Sequence, residues 1–549
     1  MNKGNFVKLV AFILLSALLL FVIAFNLFSN KEIVVYINSD KLVYAPSSFA
    51  IMNFTLLSSS VSSNFFVETY LNQNFLTSFH LKVENHKGTK LLNFSLPSKE
   101  GEVTISFVVK DFIFVVKRKD AKILIADSKD RKPLLLLIVW HEHQAPNVLP
   151  DGKYFGEWAF YHTFSSELSP TFDGGPYMYH AYELIKHKGI KVVEHLSPSL
   201  LFQWNSSLVS GYTLENGTYV PPNSSKLEKV RWTLNTFKLL AKEGRVEVPT
   251  SVFAHTITGF LLDKYNMSDV VNNELKIGKN ITEKIINVVP TGAWTPEMAF
   301  SMKNINIYNS NNIYYTFLDS RYHFLEAKGN KSSIYEPYIL RDENGKQIIV
   351  FFRDQEISDQ IGFQNNFLSK EDADSFARDL VIEILEKAWL NNETYKSYRV
   401  LTIALDGENW MIFSKTPSNA ALFLDYFYSY LEEAQKNKAI MTCTAKEALD
   451  FIKPTRVIYF VPTNSWLGSF DKWTTEKSQA TQWKQVELLY RKLEAYKQIY
   501  GENNNFKRAM FAFYNALDSD YWWAEFYSPQ VIDSWLNYTQ LCLNETKNQ

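Results

Sequence analysis

The chain has 549 residues, enough for several domains, and a net charge of -1, so no broad basic surface points to nucleic acid. Its two cysteines, Cys443 and Cys542, exclude a disulfide framework and a cysteine metal cluster. Aromatic residues make up 15%, with 13 Trp and 30 Tyr, which suits a large core and equally the stacking of sugar rings.

Lys3 and Lys8 precede Leu9–Phe28, a stretch without a charge and long enough to span a bilayer. No small-residue cleavage pattern follows it, which favours an uncleaved signal anchor (residues 1–30) over a cleaved signal peptide. The flanking lysines hold the N-terminus inside, so the bulk of the chain is expected outside the cytoplasm of a single-pass membrane protein. N-x-[ST] sequons at Asn53, Asn93, Asn205, Asn216, Asn223, Asn266, Asn280, Asn330, Asn392, Asn537 and Asn544 agree with an exported glycoprotein.

Residues 31–128 read as all-β. Runs such as "FAIMNFTLL" and "VTISFVVKDFIFVVK" are rich in β-branched and aromatic residues and are separated by Ser, Asn and Gly clusters. A small β-sandwich is expected, serving as a spacer or a carbohydrate-binding module. From residue 129 to 460 the pattern changes to alternating strands and helices. Candidate strands are 134–140, 190–194, 245–249, 286–290, 312–318, 347–352, 399–405 and 438–442, with helices such as 225–243 and 370–389 between them. This repetition predicts a parallel α/β barrel or a doubly wound sheet. Residues 461–549 are predicted helical, with "KSQATQWKQVELLYRKLEAYKQIYG" ending at Gly501 as a C-cap.

Several strands end in residues that carry chemistry. In "LLLLIVWHEHQAP" (134–146) an apolar run breaks into His141, Glu142 and His143. Polar residues at the carboxyl end of a parallel strand are where such folds bind ligands. If the strand continues, the two histidines face one side and Glu142 the other. Histidines there can donate to hydroxyls or bind a metal. "GRVEVPTSVFAH" (244–255) sets Glu247 opposite Val246 and Val248; "PTGAWTPEMAF" (290–300) carries Glu297 just past a strand; and "VLTIALDGENW" (400–410) ends an apolar strand at Asp406, with Gly407 allowing a sharp turn. Two carboxylates at strand ends of one barrel are what glycoside cleavage requires: one attacks or shields the anomeric carbon and the other protonates the departing oxygen.

These segments, in this order, resemble glycoside hydrolase family 57 over about residues 133–525. "WHEHQAP", with Ala145 between Gln144 and Pro146, resembles its opening motif. "GRVEVPTSVFAH", "GAWTPEMAF", "LDGENW" and "NSWLGSFDKW" (464–473) are similar to its second to fifth regions, and "SDYWWAEFY" (519–527) looks like a further family segment. The resemblance implies an incomplete (β/α)7 barrel with a C-terminal helical bundle, here preceded by the small all-β domain and the transmembrane helix. It implies a retaining mechanism on α-glucans through a covalent glycosyl-enzyme, with Glu297 as nucleophile and Asp406 as general acid/base, and an amylase or amylopullulanase type of activity. His141, His143 and Glu247 are then expected to hydrogen-bond the sugar, Trp294, Trp410 and Trp466 to stack on rings, and Asp354 and Asp319 either to hold hydroxyls and orient other side chains or to pair structurally with Arg353 or Arg321. No metal and no cofactor are expected for this chemistry. The alternatives are a 4-α-glucanotransferase on the same substrates, a metal-dependent polysaccharide deacetylase using the two histidines, and a non-catalytic cell-surface glycan-binding protein.

Overall fold

The computed structural model describes residues 32–391, 396–475 and 478–545. The expected membrane anchor lies outside the described residues; among those described, no helix is long and apolar enough to cross a membrane. The chain divides into two compact units. One comprises residues up to Lys132 with Ser375–Lys396 and Lys436–Ala439, and the other holds the rest.

The first unit carries strands β1 (Ile33–Ser39), β2 (Val43–Tyr44), β3 (Phe49–Ser58), β4 (Ser62–Leu71), β5 (Asn74–Glu84), β6 (Lys87–Ser95), β7 (Gly101–Asp111) and β8 (Phe114–Ile125), ordered β1-β3-β6-β5-β4-β7-β8-β2. Alternation fixes which face is buried: along β3, Ala50, Met52, Phe54 and Leu56 point inward. They join Phe65, Val67, Ile105 and Phe107 in one apolar core.

The second unit is built on a curled parallel sheet. Its strands are β9 (Leu134–Glu142), β10 (Val192–Leu196), β11 (Val246–Glu247), β12 (Gly292–Ala293), β13 (Tyr315–Asp319), β14 (Gln347–Arg353) and β15 (Val400–Asp406). Each pairs in parallel with the next, with Thr250 bridging to Ala293 beyond β11, and β15 returns to pair with β9. The ring is consistent with a (β/α)7 barrel. The connection from β13 to β14 runs through a hairpin, Tyr338–Arg341 against Gln347–Val350, where a crossover helix would stand.

Two of the predicted strands take other forms. Residues 286–290 do not form one: the helix Ser268–Ile286 runs through Ile286 and stops at Asn287, whose φ of 64° is a left-handed cap, and the strand follows at Gly292. The segment Ile440–Thr442 pairs with Leu134–Leu136 at the start of β9 and stays off the ring.

Period-2 alternation sorts the side chains. On β9, Leu135, Leu137 and Val139 enter the interior with Val193, Phe317, Phe351 and Ala404. This apolar layer fills the ring, and the same parity carries His141, His195 and Asp406, aligned in register, just above it. The other parity turns Trp140, Glu142 and Glu194 to the opposite face of the sheet. The helix Gln479–Tyr500 ends at Gly501 (φ 69°), and helices Asn504–Asn515, Ser519–Trp522 and Pro529–Asn544 complete the C-terminal part.

Candidate active site

Glu297 sits on the one-turn helix Pro296–Met298, with φ 54° and ψ 18°, a left-handed conformation rare for a side-chain-bearing residue and found where the surroundings enforce it. Its carboxyl is almost completely buried and receives two donors, Ser519 Oγ at 2.9 Å and Trp466 Nε1 at 3.0 Å. Its own carbonyl accepts from the Trp466 amide. Burial and the charge of nearby Asp406 push the Glu297 pKa up to about 8, against the pull of Ser519 and His143.

Asp406 ends β15 beside His141 in register, and its Oδ2 accepts from Asn409 Nδ2 at 2.8 Å. Burial raises its pKa to about 6, with Asn409, His143 and Arg353 opposing and Asp520 adding to the rise. The Asp406 charge therefore reaches Glu297 and disfavours its ionisation at neutral pH.

Four imidazoles and an indole form the floor. Ring centroids run from His143 to His255 at 4.0 Å, from His255 to His141 at 4.7 Å, and from His141 to Trp294 at 4.5 Å, all near parallel. His141 Nδ1 meets His195 Nδ1 at 2.7 Å, so one donates to the other and Nε2 is what His141 can offer a ligand. Burial keeps His141, His195 and His255 well below the usual histidine range. His143 is the exception: Asp520 and Asp518 outweigh its burial and raise it to about 9, making it an imidazolium. Its Nε2 lies 3.3 Å from Asp518 Oδ1 and 3.4 Å from Asp520 Oδ2, while Nδ1 faces Ser197 Oγ at 2.9 Å. The turn Asp518–Asp520, in the C-terminal helical part, thus supplies a wall: Ser519 bridges His255 Nδ1 (2.9 Å) to Glu297.

Arg353 ties the strands together. It pairs with buried Asp319 at 2.7 Å, donates to the Ala404 carbonyl at 3.0 Å, and lies 5.4 Å from the centre of the Trp466 ring.

The structure therefore brings together Glu297, Asp406, His141, His143, Trp294 and Trp466. Trp294 is fully buried against His141 and Trp466, so it supports the floor and presents no open face. Three of the expected residues lie elsewhere. Glu247 is in register with Val193 of the apolar layer, below the row of His141, His195 and Asp406, and accepts from Tyr315 and from the Lys446 amide (3.1 Å). Trp410 packs on Trp140 and Phe423 in the core. Asp354 caps the helix Gln355–Phe363, accepting from the Ile357 amide, and receives the Tyr335 hydroxyl at 3.1 Å. Sequence reasoning assigned no role to His195, His255, Asp518, Ser519 or Asp520; the structural ion pairing it offered for Asp319 is the one present, with Arg353. The quoted segments ended on His255 and began at Ser519, so the signal was at their margins.

Among the described residues, one set of metal-competent side chains lies in this cleft, His143 with Asp518 and Asp520, and it is satisfied as an ion pair; His141 belongs to no such set.

Two carboxyls of raised proton affinity beside stacked imidazoles and an indole N–H are suited to acid/base and nucleophilic work on a polyhydroxylated substrate. The chain matches the family described as glycosyl hydrolase family 57 over residues 137–461, more than half its length, and belongs to that family. It is a glycoside hydrolase-type enzyme. Among solved structures it is similar to the α-amylase AmyC from Thermotoga maritima, at 16% identity over 76% of this chain and 92% of that one, with a TM-score of 0.53. A family 57-type branching enzyme from Pyrococcus horikoshii is 20% identical over 75% and 88%, at 0.52. The 4-α-glucanotransferase from Thermococcus litoralis is 16% identical over 76% and 60%, at 0.53. At these identities the likeness speaks for the fold. No curated protein matches the chain.

The placements separate structural from chemical residues. Replacing Glu247 by Gln leaves a buried polar group short of a partner and should cost roughly 1–3 kcal/mol of stability, with kcat/KM changed by no more than about twofold. Trp466→Phe, which removes a donor from Glu297 and keeps the ring, should lower kcat on the order of tenfold, about 1.4 kcal/mol, with an unchanged thermal midpoint. Thermal unfolding and steady-state kinetics on both variants check this pair of outcomes.

Proposed function

We propose that the protein is a retaining glycoside hydrolase acting on α-glucans such as starch, glycogen, pullulan or derived dextrins, with Glu297 as nucleophile and Asp406 as general acid/base. The observation that carries the reading is the shared field of these two carboxyls at one end of the parallel ring: Asp406 is the largest charge acting on Glu297. The donors on Glu297, Ser519 and Trp466, favour its carboxylate and fix its direction. Between about 6 and about 8 the pair holds one proton, which rests on Glu297, the group of higher pKa; turnover takes place when that proton is on Asp406, from which it passes to the leaving oxygen. Attack of Glu297 on the anomeric carbon breaks the glycosidic bond and forms a glycosyl ester, while the leaving oxygen takes the Asp406 proton. Water, deprotonated by Asp406, then cleaves the ester, and each carboxyl returns to its starting state. In this reading His141, through Nε2, and the Trp466 ring contact the sugar in the cleaved position, while His143, whose ring nitrogens are taken by Ser197, Asp518 and Asp520, orients the wall beside it. When a second sugar replaces water, the same ester gives a transfer product, so a 4-α-glucanotransferase uses the same residues.

The uncharged Leu9–Phe28 segment supports the further reading that the enzyme is exported and tethered to the cell membrane, with the cleft outside the cytoplasm. Recovery of full-length chain in the soluble fraction after lysis without detergent would overturn the tether.

Two outcomes test the activity. Glu297→Gln and Asp406→Asn should each lower kcat on soluble starch by on the order of 10³-fold or more, with the thermal midpoint retained; activity surviving in both overturns the assignment, and chromatography of the products from starch, pullulan and maltotriose separates hydrolysis from transfer. The pH profile follows from the pair. Below about 6 both carboxyls are protonated and no nucleophile exists; above about 8 both are ionised and no acid remains. The log of kcat/KM against pH should be a bell with limbs near about 6 and about 8. A profile flat through this range contradicts the shared-proton pair.

A further inference from the structure

The strands that carry the cleft also carry a second polar cluster on their opposite face. Glu142 and Glu194 are the alternate-parity neighbours of His141 and His195 on β9 and β10; both are fully buried, no N–H or hydroxyl donor reaches their carboxylate oxygens, and the two carboxyls lie against each other and against Glu408. His180, on the helix Pro176–Lys186, is also fully buried and aims Nε2 between them and the Gly407 carbonyl: 3.6 Å from Glu142 Oε1 and 3.0 Å from Gly407 O. One donor atom from each of Glu142, His180 and Glu194 lies within 4.8 Å of the others.

Two unpaired carboxylates in a dry interior carry a cost of several kcal/mol each unless protonated or neutralised, and no Lys or Arg is hydrogen-bonded or ion-paired to either among the described residues. We propose that Glu142, Glu194, His180 and the Gly407 carbonyl form a binding site for one divalent first-row metal ion of the Mn²⁺ or Zn²⁺ class. Two carboxylates balance the charge of a divalent ion. With metal–ligand bonds of about 2.1 Å, neighbouring ligands stand roughly 3.0–3.4 Å apart and opposite ligands about 4.2 Å apart. The separations in the cluster close onto one ion with small side-chain shifts. A mixed set of carboxylate, carbonyl and imidazole suits Mn²⁺ and Zn²⁺ better than an all-oxygen Ca²⁺ cage. His180 Nε2 donates to the Gly407 carbonyl and becomes a ligand when its proton moves to Nδ1, which has no other partner. Glu408, with its buried Oε2 unpartnered, stands beside Glu142 as a further carboxyl.

The ion would not touch sugar. Its place is behind the turn that bears Asp406: a Cβ on Gly407 would stand 2.0 Å from Glu142 Oε1, so the backbone of this turn rests directly on the cluster. A metal there clamps β9, β10 and the Asp406–Glu408 turn and fixes the acid/base from the rear, a positioning role. It is independent of the substrate reading and survives that reading's failure.

The test is metal content. The full chain, expressed in medium supplemented with Mn²⁺ and Zn²⁺ and freed of loosely bound ions by gel filtration, should carry close to one equivalent by plasma mass spectrometry. Glu194→Gln and His180→Gln should each lose it and unfold at a lower temperature than the parent, while Asp520→Asn, which disrupts the other carboxylate–histidine set, should keep it. Less than about a tenth of an equivalent in the parent, or metal kept in both Glu194→Gln and His180→Gln and lost in Asp520→Asn, overturns the site. Where one variant fails to fold, the parent and the other variant still decide.

Discussion

More negative charge converges on the mouth of the parallel ring than positive charge stands ready to compensate. Glu297, Asp406, Asp518, Asp520 and Asp319 gather there, and the described cations among them are Arg353 and the imidazolium of His143. Arg353 is spent on Asp319 and the Ala404 carbonyl, which locks β13, β14 and β15. His143 is held by Asp518 and Asp520. Burial raises both Glu297 and Asp406, and the Asp406 charge raises Glu297 further, so the pair holds one proton at neutral pH. This deficit is what makes the pair chemically able: a fully compensated pair would be two inert carboxylates.

The same strands divide their chemistry by parity. His141 and His195 face the cleft, and Glu142 and Glu194, one residue removed, face the helices. A slip of one residue would exchange the two sets. The apolar layer of Leu137, Val139, Val193, Phe317 and Ala404 keeps the register, because any shift would expose it. The C-terminal helical part is integral to the site, since Ser519 bridges His255 to Glu297 and Asp518 and Asp520 hold His143.

How much of this was legible in the sequence follows from what periodicity can encode. The unbroken apolar run of β9, its polar end, Asp406 at the end of β15 and the cap at Gly501 are local signals, and all are where the sequence puts them. Glu247 shows the limit. Alternation sets it opposite its valine neighbours, in register with Val193, but alternation carries no information on height along the strand, and Glu247 lies below the row of His141, His195 and Asp406. Trp410 follows the Asp406 turn so closely that it looked part of the cleft, yet the turn at Gly407 sends it into the core beside Trp140. His195 sits in a five-residue strand and Asp518 lies 375 positions from its partner His143, so no local pattern links them. The helix running through Ile286 in place of a strand reflects capping at Asn287, which a β-branched run concealed.

The central claim is that Glu297 attacks carbon. Trapping tests it most directly: the full chain is incubated with an activated fluorinated α-glucosyl substrate that forms a glycosyl ester quickly and loses it slowly, then digested and sequenced by mass spectrometry. The account predicts one hexosyl group on the peptide that contains Glu297, and release of product with the substrate's anomeric configuration. A sugar attached to Asp406 or Asp520, or inverted product with no adduct, would contradict it.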